Sequence, residues 1–318
     1  MINDDMRSRI SFPGQFGILS GMTIGGIIVG SLISVIIWFI MTGTSMPMTA
    51  SAIMQPKFYN VNMTIQAVST FFLFFLPIYF FALICYQRPL QYIGFSTSVT
   101  QKQVVIVIFI LLITFPLSSG IASFNKWIPI PVKWSTYFTQ KEAERAAEEA
   151  ALIQITSFSR YIISMIGIAF LPAVFEETFF RGGLQKLFTN WFKGPFIAII
   201  LTSIIFSLIH ISYYGFLVRF ALGVILGLVY YYSGSIWLNI IMHFLFNGLQ
   251  VTLLYIYKQD PGKPDIETGF NPWFAVISFF LIIYLFTRFI KISDASKRQL
   301  ASIADDDDFD EWTKETLK

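Results

Sequence analysis

Apolar residues run in long blocks along this chain, and polar residues collect in the short stretches between them. The first block, residues 17–41, follows a polar opening that carries Arg7 and Arg9. It exceeds the roughly 7–15-residue core of a signal peptide and lacks a small-residue cleavage site, so it predicts a retained span. Further blocks at 63–86, 103–124, 161–187, 195–211, 216–232, 236–257 and 273–290 follow. About 20 apolar residues cross a bilayer as a helix. The expected fold is therefore an all-α polytopic membrane protein, a bundle of about eight transmembrane helices. Pro77 predicts a kink in the second span. Gly21/Gly25 and Gly26/Gly30 are small-xxx-small pairs suited to close helix packing, although glycine is common in membrane helices generally.

The polar stretches divide the chain. Residues 1–16 form a polar N-terminal segment, 17–124 hold spans one to three, and 125–151 form the longest polar segment between spans. Residues 152–257 hold spans four to seven, 258–290 a loop and span eight, and 291–318 a polar tail. The 125–151 segment opens on Trp127, Pro129 and Pro131 and continues through a run with strong helix propensity from Gln140 to Ala150. It predicts a solvated or interfacial helix leading into span four, its charges forming a solvated face. The acidic run Asp305–Glu311 reads as disordered and solvated. Eight spans put both termini on one side. Lysine and arginine near span ends are modestly more numerous there, which predicts cytoplasmic termini, at the inner cell membrane if the source is bacterial. No repeat of 20–50 residues is visible.

Composition supports this class. Of the 318 residues 55% are hydrophobic and 13% charged, with a mean hydropathy of +0.65; soluble domains carry about 25% charged residues. The net charge of +3 is small and dispersed, which leaves no nucleic-acid footprint and makes the lipid bilayer the expected surrounding. Cys85, the single cysteine, excludes an intrachain disulfide and a thiolate metal cluster.

Against that background the charges inside span four stand out. Glu176, Glu177 and Arg181 lie in an otherwise apolar segment, where each charge costs roughly 2.5–3.5 kcal/mol on insertion scales. The only two histidines, His210 and His243, also fall in apolar blocks. Counted from Lys186, Pro195 and Ile236 at the cytoplasmic side, Glu176, His210 and His243 lie at depths of about 15, 22 and 10 Å. One cavity between spans four, five and seven can hold all three. Glu177/Arg181 and His243/Asn247 are i, i+4 pairs that each share a helix face, and Phe206/His210 has the same separation.

Such a set suits hydrolysis of an amide bond: a carboxylate with an imidazole activates water, and an imidazole with a carboxamide stabilises an oxyanion. Two histidines and a carboxylate (Glu176, His210 and His243) are equally standard ligands for a divalent metal such as zinc, though no HExxH spacing is present. A structural reading also exists, with Glu177–Arg181 as an ion pair and the histidines as packing residues. Arg219, just inside span six, reads as a structural residue snorkelling to the far interface.

Three short motifs in order, Glu-Glu-x-x-x-Arg at 176–181, Phe-x-x-x-His at 206–210 and His-x-x-x-Asn at 243–247, resemble those of the CPBP intramembrane proteases. That family comprises CAAX proteases and bacteriocin-processing enzymes, is also called Abi, and includes the type II CAAX prenyl endopeptidases. The resemblance covers about residues 171–250 and uses every histidine in the chain. It implies that Glu176 and His210 activate water, that His243 and Asn247 form the oxyanion site, and that Glu177 and Arg181 support them. It is compatible with a divalent metal or with a metal-free glutamate mechanism.

The expected function is thus that of an intramembrane endopeptidase acting on a peptide or membrane-protein substrate. Two other classes accommodate intramembrane carboxylates: a proton-coupled transporter, against which the lack of an inverted repeat weighs, and a non-catalytic membrane scaffold or immunity protein.

Overall fold

A computed structural model describes residues 10–46, 53, 55–152, 155–258 and 272–304. The first nine residues, most of the loop before the last span and the acidic run at 305–311 lie outside the described residues. The described residues form helices and connecting turns, without strands.

Helix α1 is Phe12–Thr42, entered through a Ser11 side-chain cap with Pro13 in its first turn. Helix α2 is Pro56–Cys85 and short α3 is Pro89–Ile93. Helix α4, Gln101–Trp127, starts in a capping box between Thr100 and Gln103. Helix α5 is Val132–Leu152, and α6 is the continuous rod Phe158–Phe192. Helices α7, α8, α9 and α10 are Pro195–Leu208, Phe216–Ser233, Ile236–Lys258 and Pro272–Ala304. Seven of these are long and apolar enough to cross a membrane. Helix α7 is equally apolar but has 14 residues, about 21 Å of helix. The chain is an integral, multi-pass, all-α membrane protein.

Two apolar clusters flank the centre. One joins Leu19 of α1, Phe74, Ile78 and Phe81 of α2, and Phe180 of α6 with Phe206 of α7. The other joins Val107 and Ile110 of α4, Leu226 of α8, Met242 of α9 and Phe286 of α10. Helix α6 therefore lies at the seam, packed on α9 along one side and on α2 and α7 elsewhere.

Proline shapes both long rods. In α2 residues Phe71–Phe75 take π geometry immediately before Pro77, and in α6 residues Met165–Phe170 do so before Pro172. A proline cannot donate to the i−4 carbonyl and its ring crowds it, so one widened turn absorbs the mismatch. The expected kink at Pro77 takes this form. A second π segment in α6, Thr178–Gln185, has no proline. It contains Gly182 and Gly183, where an added Cβ would meet Ile93 and Ile78, so small residues let this widened turn press against α3 and α2.

Candidate active site

Glu176 and Glu177 end the α-helical stretch Leu171–Glu177 and stand directly before the second π segment, which carries Arg181. Glu177 is fully buried and Arg181 is 1% exposed. Glu177 Oε1 accepts a hydrogen bond from Arg181 Nη1 at 2.9 Å and another from His243 Nδ1 at 2.7 Å. Its second oxygen accepts from Asn239 Nδ2 at 3.3 Å. Arg181 also donates through Nη2 to the Gly223 carbonyl of α8 at 3.3 Å and lies 4.9 Å from the Phe206 ring centroid. Burying a charged pair is tolerable only when most of its remaining donors and acceptors are also met. The contacts from α7, α8 and α9 engage both oxygens of Glu177 and both Nη atoms of Arg181, and leave Arg181 Nε without a hydrogen-bond partner.

Glu176 differs. It is 9% exposed, no hydrogen bond engages it among the described residues, and it sits in the electrostatic field of His243, Arg181 and Arg219. Of the two adjacent carboxylates one is locked into the scaffold and the other is held ready.

His210 stands in a turn, although the apolar block 195–211 predicts helix through this position. Helix α7 ends at Leu208, and Ile211 takes a left-handed φ of 46°. His210 Nδ1 donates to the Phe206 carbonyl at 2.7 Å. The Phe206 ring lies edge-on between the two imidazoles, 4.9 Å from His210 and 6.3 Å from His243. A carbonyl and an ion-paired carboxylate only accept, so each histidine carries a proton on Nδ1. Asn247 is half-buried one turn beyond His243 and makes no hydrogen bond to the other five residues.

The structure thus brings Glu177, Arg181 and His243 into direct contact and joins His210 to them through Phe206. Two residues escaped the sequence reading. Asn239, buried and also bonded to the Leu226 carbonyl at 2.7 Å, precedes His243 by one helical turn, and that i, i+4 spacing was the available signal. Arg219, expected to snorkel away, stands in the first turn of α8 close enough to Glu176 to contribute to the electrostatic field there. No group of three or more His, Cys, Asp or Glu side chains among the described residues is close enough to hold a metal ion, so Glu176, His210 and His243 do not make a ligand set as they stand.

A family model described as "Type II CAAX prenyl endopeptidase Rce1-like" matches residues 158–249. That is less than a third of the chain, and it contains all seven residues of the three motifs together with Arg219 and Asn239. No curated protein and no solved structure matches.

Proposed function

From the relationship to the CAAX-protease family that residues 158–249 carry, we propose that this protein is an intramembrane endopeptidase. The observation that supports it most is the unequal treatment of two neighbouring carboxylates, Glu177 saturated by Arg181, His243 and Asn239 while Glu176 keeps its oxygens free. A purely structural pair of glutamates would have both saturated, since an unmet buried carboxylate costs several kcal/mol.

In this reading Glu176 takes a proton from a water molecule, assisted by His210 Nε2, and the water oxygen attacks the scissile carbonyl carbon. Asn247 Nδ2 and a protonated His243 Nε2 donate to the oxyanion that forms. Collapse of the tetrahedral intermediate breaks the C–N bond, and the proton held by Glu176 passes to the leaving amine. Glu177, Arg181 and Asn239 orient His243. No step is assigned to a metal. The substrate is a peptide or membrane protein whose cleaved bond reaches bilayer depth, approached from the cytoplasmic side.

The test is hydrolysis in H2(18)O by the purified full-length protein in lipid vesicles, offered a pool of peptides derived from membrane proteins. New C-termini carrying 18O should appear by mass spectrometry. Glu176→Gln should reduce them by about 10²–10⁴-fold while the protein still inserts and unfolds at the wild-type temperature. Equal labelling by wild type and a well-folded Glu176→Gln would overturn the assignment, and no labelling by either would favour a carrier or a silent scaffold.

A further inference from the structure

Helix α5, Val132–Leu152, lies outside the spans, and its sequence reads as a solvated face. The structure gives one of its carboxylates a specific engagement. Glu142 Oε1 accepts from Ser212 Oγ at 2.9 Å and from the Tyr214 backbone N–H at 3.3 Å. Both donors belong to the turn at 209–215 that carries His210. Ser212 is buried, and its Oγ in turn accepts from Gly215 N at 2.9 Å, so Glu142 reaches the first residue before α8 through one hydroxyl.

The same turn is held at further points by α4, α5 and the residues between them. Asn125 Nδ2 donates to the Tyr213 carbonyl at 2.9 Å, and the Phe138 and Tyr213 rings are 5.1 Å apart. Tyr213 Oη donates to the Ile128 carbonyl at 3.4 Å. Opposite these contacts Ile211, directly after His210, has φ of 46°. The left-handed region costs a side chain with Cβ about 1–2 kcal/mol, more for a β-branched one, and persists only where the surroundings over-determine it. Contacts from α5 on residues 212–214 supply that constraint, one residue away from the strained position.

We propose that Glu142 is a positioning residue for His210: α5 is a strap, docked through Glu142 on the 212–214 backbone, that fixes where the His210 imidazole stands. The proposal gives catalytic meaning to this strap only on the reading of His210 above, but the positioning itself is measurable without turnover. Glu142 acts through Ser212 and the turn. Misplacement of a catalytic group by about 1 Å can cost about 10²-fold in rate, so a single such contact is enough to matter.

The chain's only histidines are His210 and His243, so full-length protein labelled with [15N]histidine in nanodiscs gives two sets of imidazole signals, assigned by the set lost in His210→Gln. Glu142→Ala should shift or split the His210 set and leave the His243 set in place. Ser212→Ala, which removes the same bond from the other side, should do likewise. Glu142→Gln keeps the accepting oxygen and should restore the wild-type spectrum. On the peptide pool described above, Glu142→Ala should lower kcat by about 10-fold or more, with KM within about 2-fold and Glu142→Gln near wild type. An unmoved His210 set, a change in both histidines, or failure of Glu142→Gln to rescue overturns the proposal. A His210-only shift in a protein that cleaves nothing would uphold the strap and overturn the protease reading instead.

Discussion

His243 Nδ1 lies 2.7 Å from Glu177 Oε1, and the same oxygen holds Arg181 Nη1 at 2.9 Å. One carboxylate oxygen thereby joins α6 to α9, sets which ring nitrogen of His243 is protonated, and leaves its Nε2 directed away from the ion pair. The neighbouring Glu176 can then act without serving as a structural anion, because Glu177 already does so.

Removing Glu177 should therefore be a stability lesion before it is a catalytic one. Glu177→Ala leaves the Arg181 guanidinium 1% exposed without its carboxylate, at a cost of roughly 3–5 kcal/mol. Thermal unfolding in detergent should show the loss, and Glu177→Gln combined with Arg181→Met should regain most of it. An unchanged transition in Glu177→Ala would mean that the pair contributes nothing.

Asn239 offers a milder test of the same scaffold. Its Nδ2 serves both Glu177 Oε2 and the Leu226 carbonyl. Asn239→Leu fills the space but leaves two buried acceptors short of a donor, which should destabilise by about 1–3 kcal/mol. Turnover should fall while KM stays near wild type, since Asn239 acts through Glu177 and His243. A KM effect without a kcat effect would place Asn239 in substrate binding instead.

The two glycine pairs of α1 now separate. A Cβ on Gly26 would collide with the Phe72 carbonyl oxygen in the widened turn of α2, and Gly30 abuts Phe72 Cβ. Around Gly21 and Gly25 nothing lies within 4 Å. Gly26→Ala should destabilise by about 1–3 kcal/mol through forced backbone shifts, whereas Gly21→Ala should leave the unfolding temperature unchanged. Equal effects of the two would remove the packing role of Gly26.

Metal dependence has a direct readout. Because the candidate ligands do not gather as a set of three among the described residues, 18O labelling by the protein should persist after dialysis against a strong chelator, with metal content followed by elemental analysis. Loss of labelling restored by one added divalent ion would show that Glu176, His210 and His243 close around it during turnover.

The sequence by itself determined the class of this protein and picked out the members of its candidate site. Long apolar blocks have no low-energy state outside a bilayer or a protein core, so the spans could be read from composition and length. Charges inside them are costly enough that Glu176, Glu177, Arg181, His210 and His243 declared themselves. Helical spacing was equally legible at short range, and the Glu177–Arg181 pair lies as the i, i+4 rule places it. What only the tertiary structure decided are relations between helices. Locally only its i, i+4 spacing to His243 marks Asn239, and its role rests on partners that lie on α6 and α8. The nearness of Arg219 to Glu176 depends on how α8 packs beside α6, and the place of His210 on a left-handed Ile211 that periodicity cannot foresee. The division between a saturated Glu177 and an open Glu176 likewise follows from which helices pack on each face of α6, and the engagement of Glu142 with the His210 turn from where α5 comes to rest.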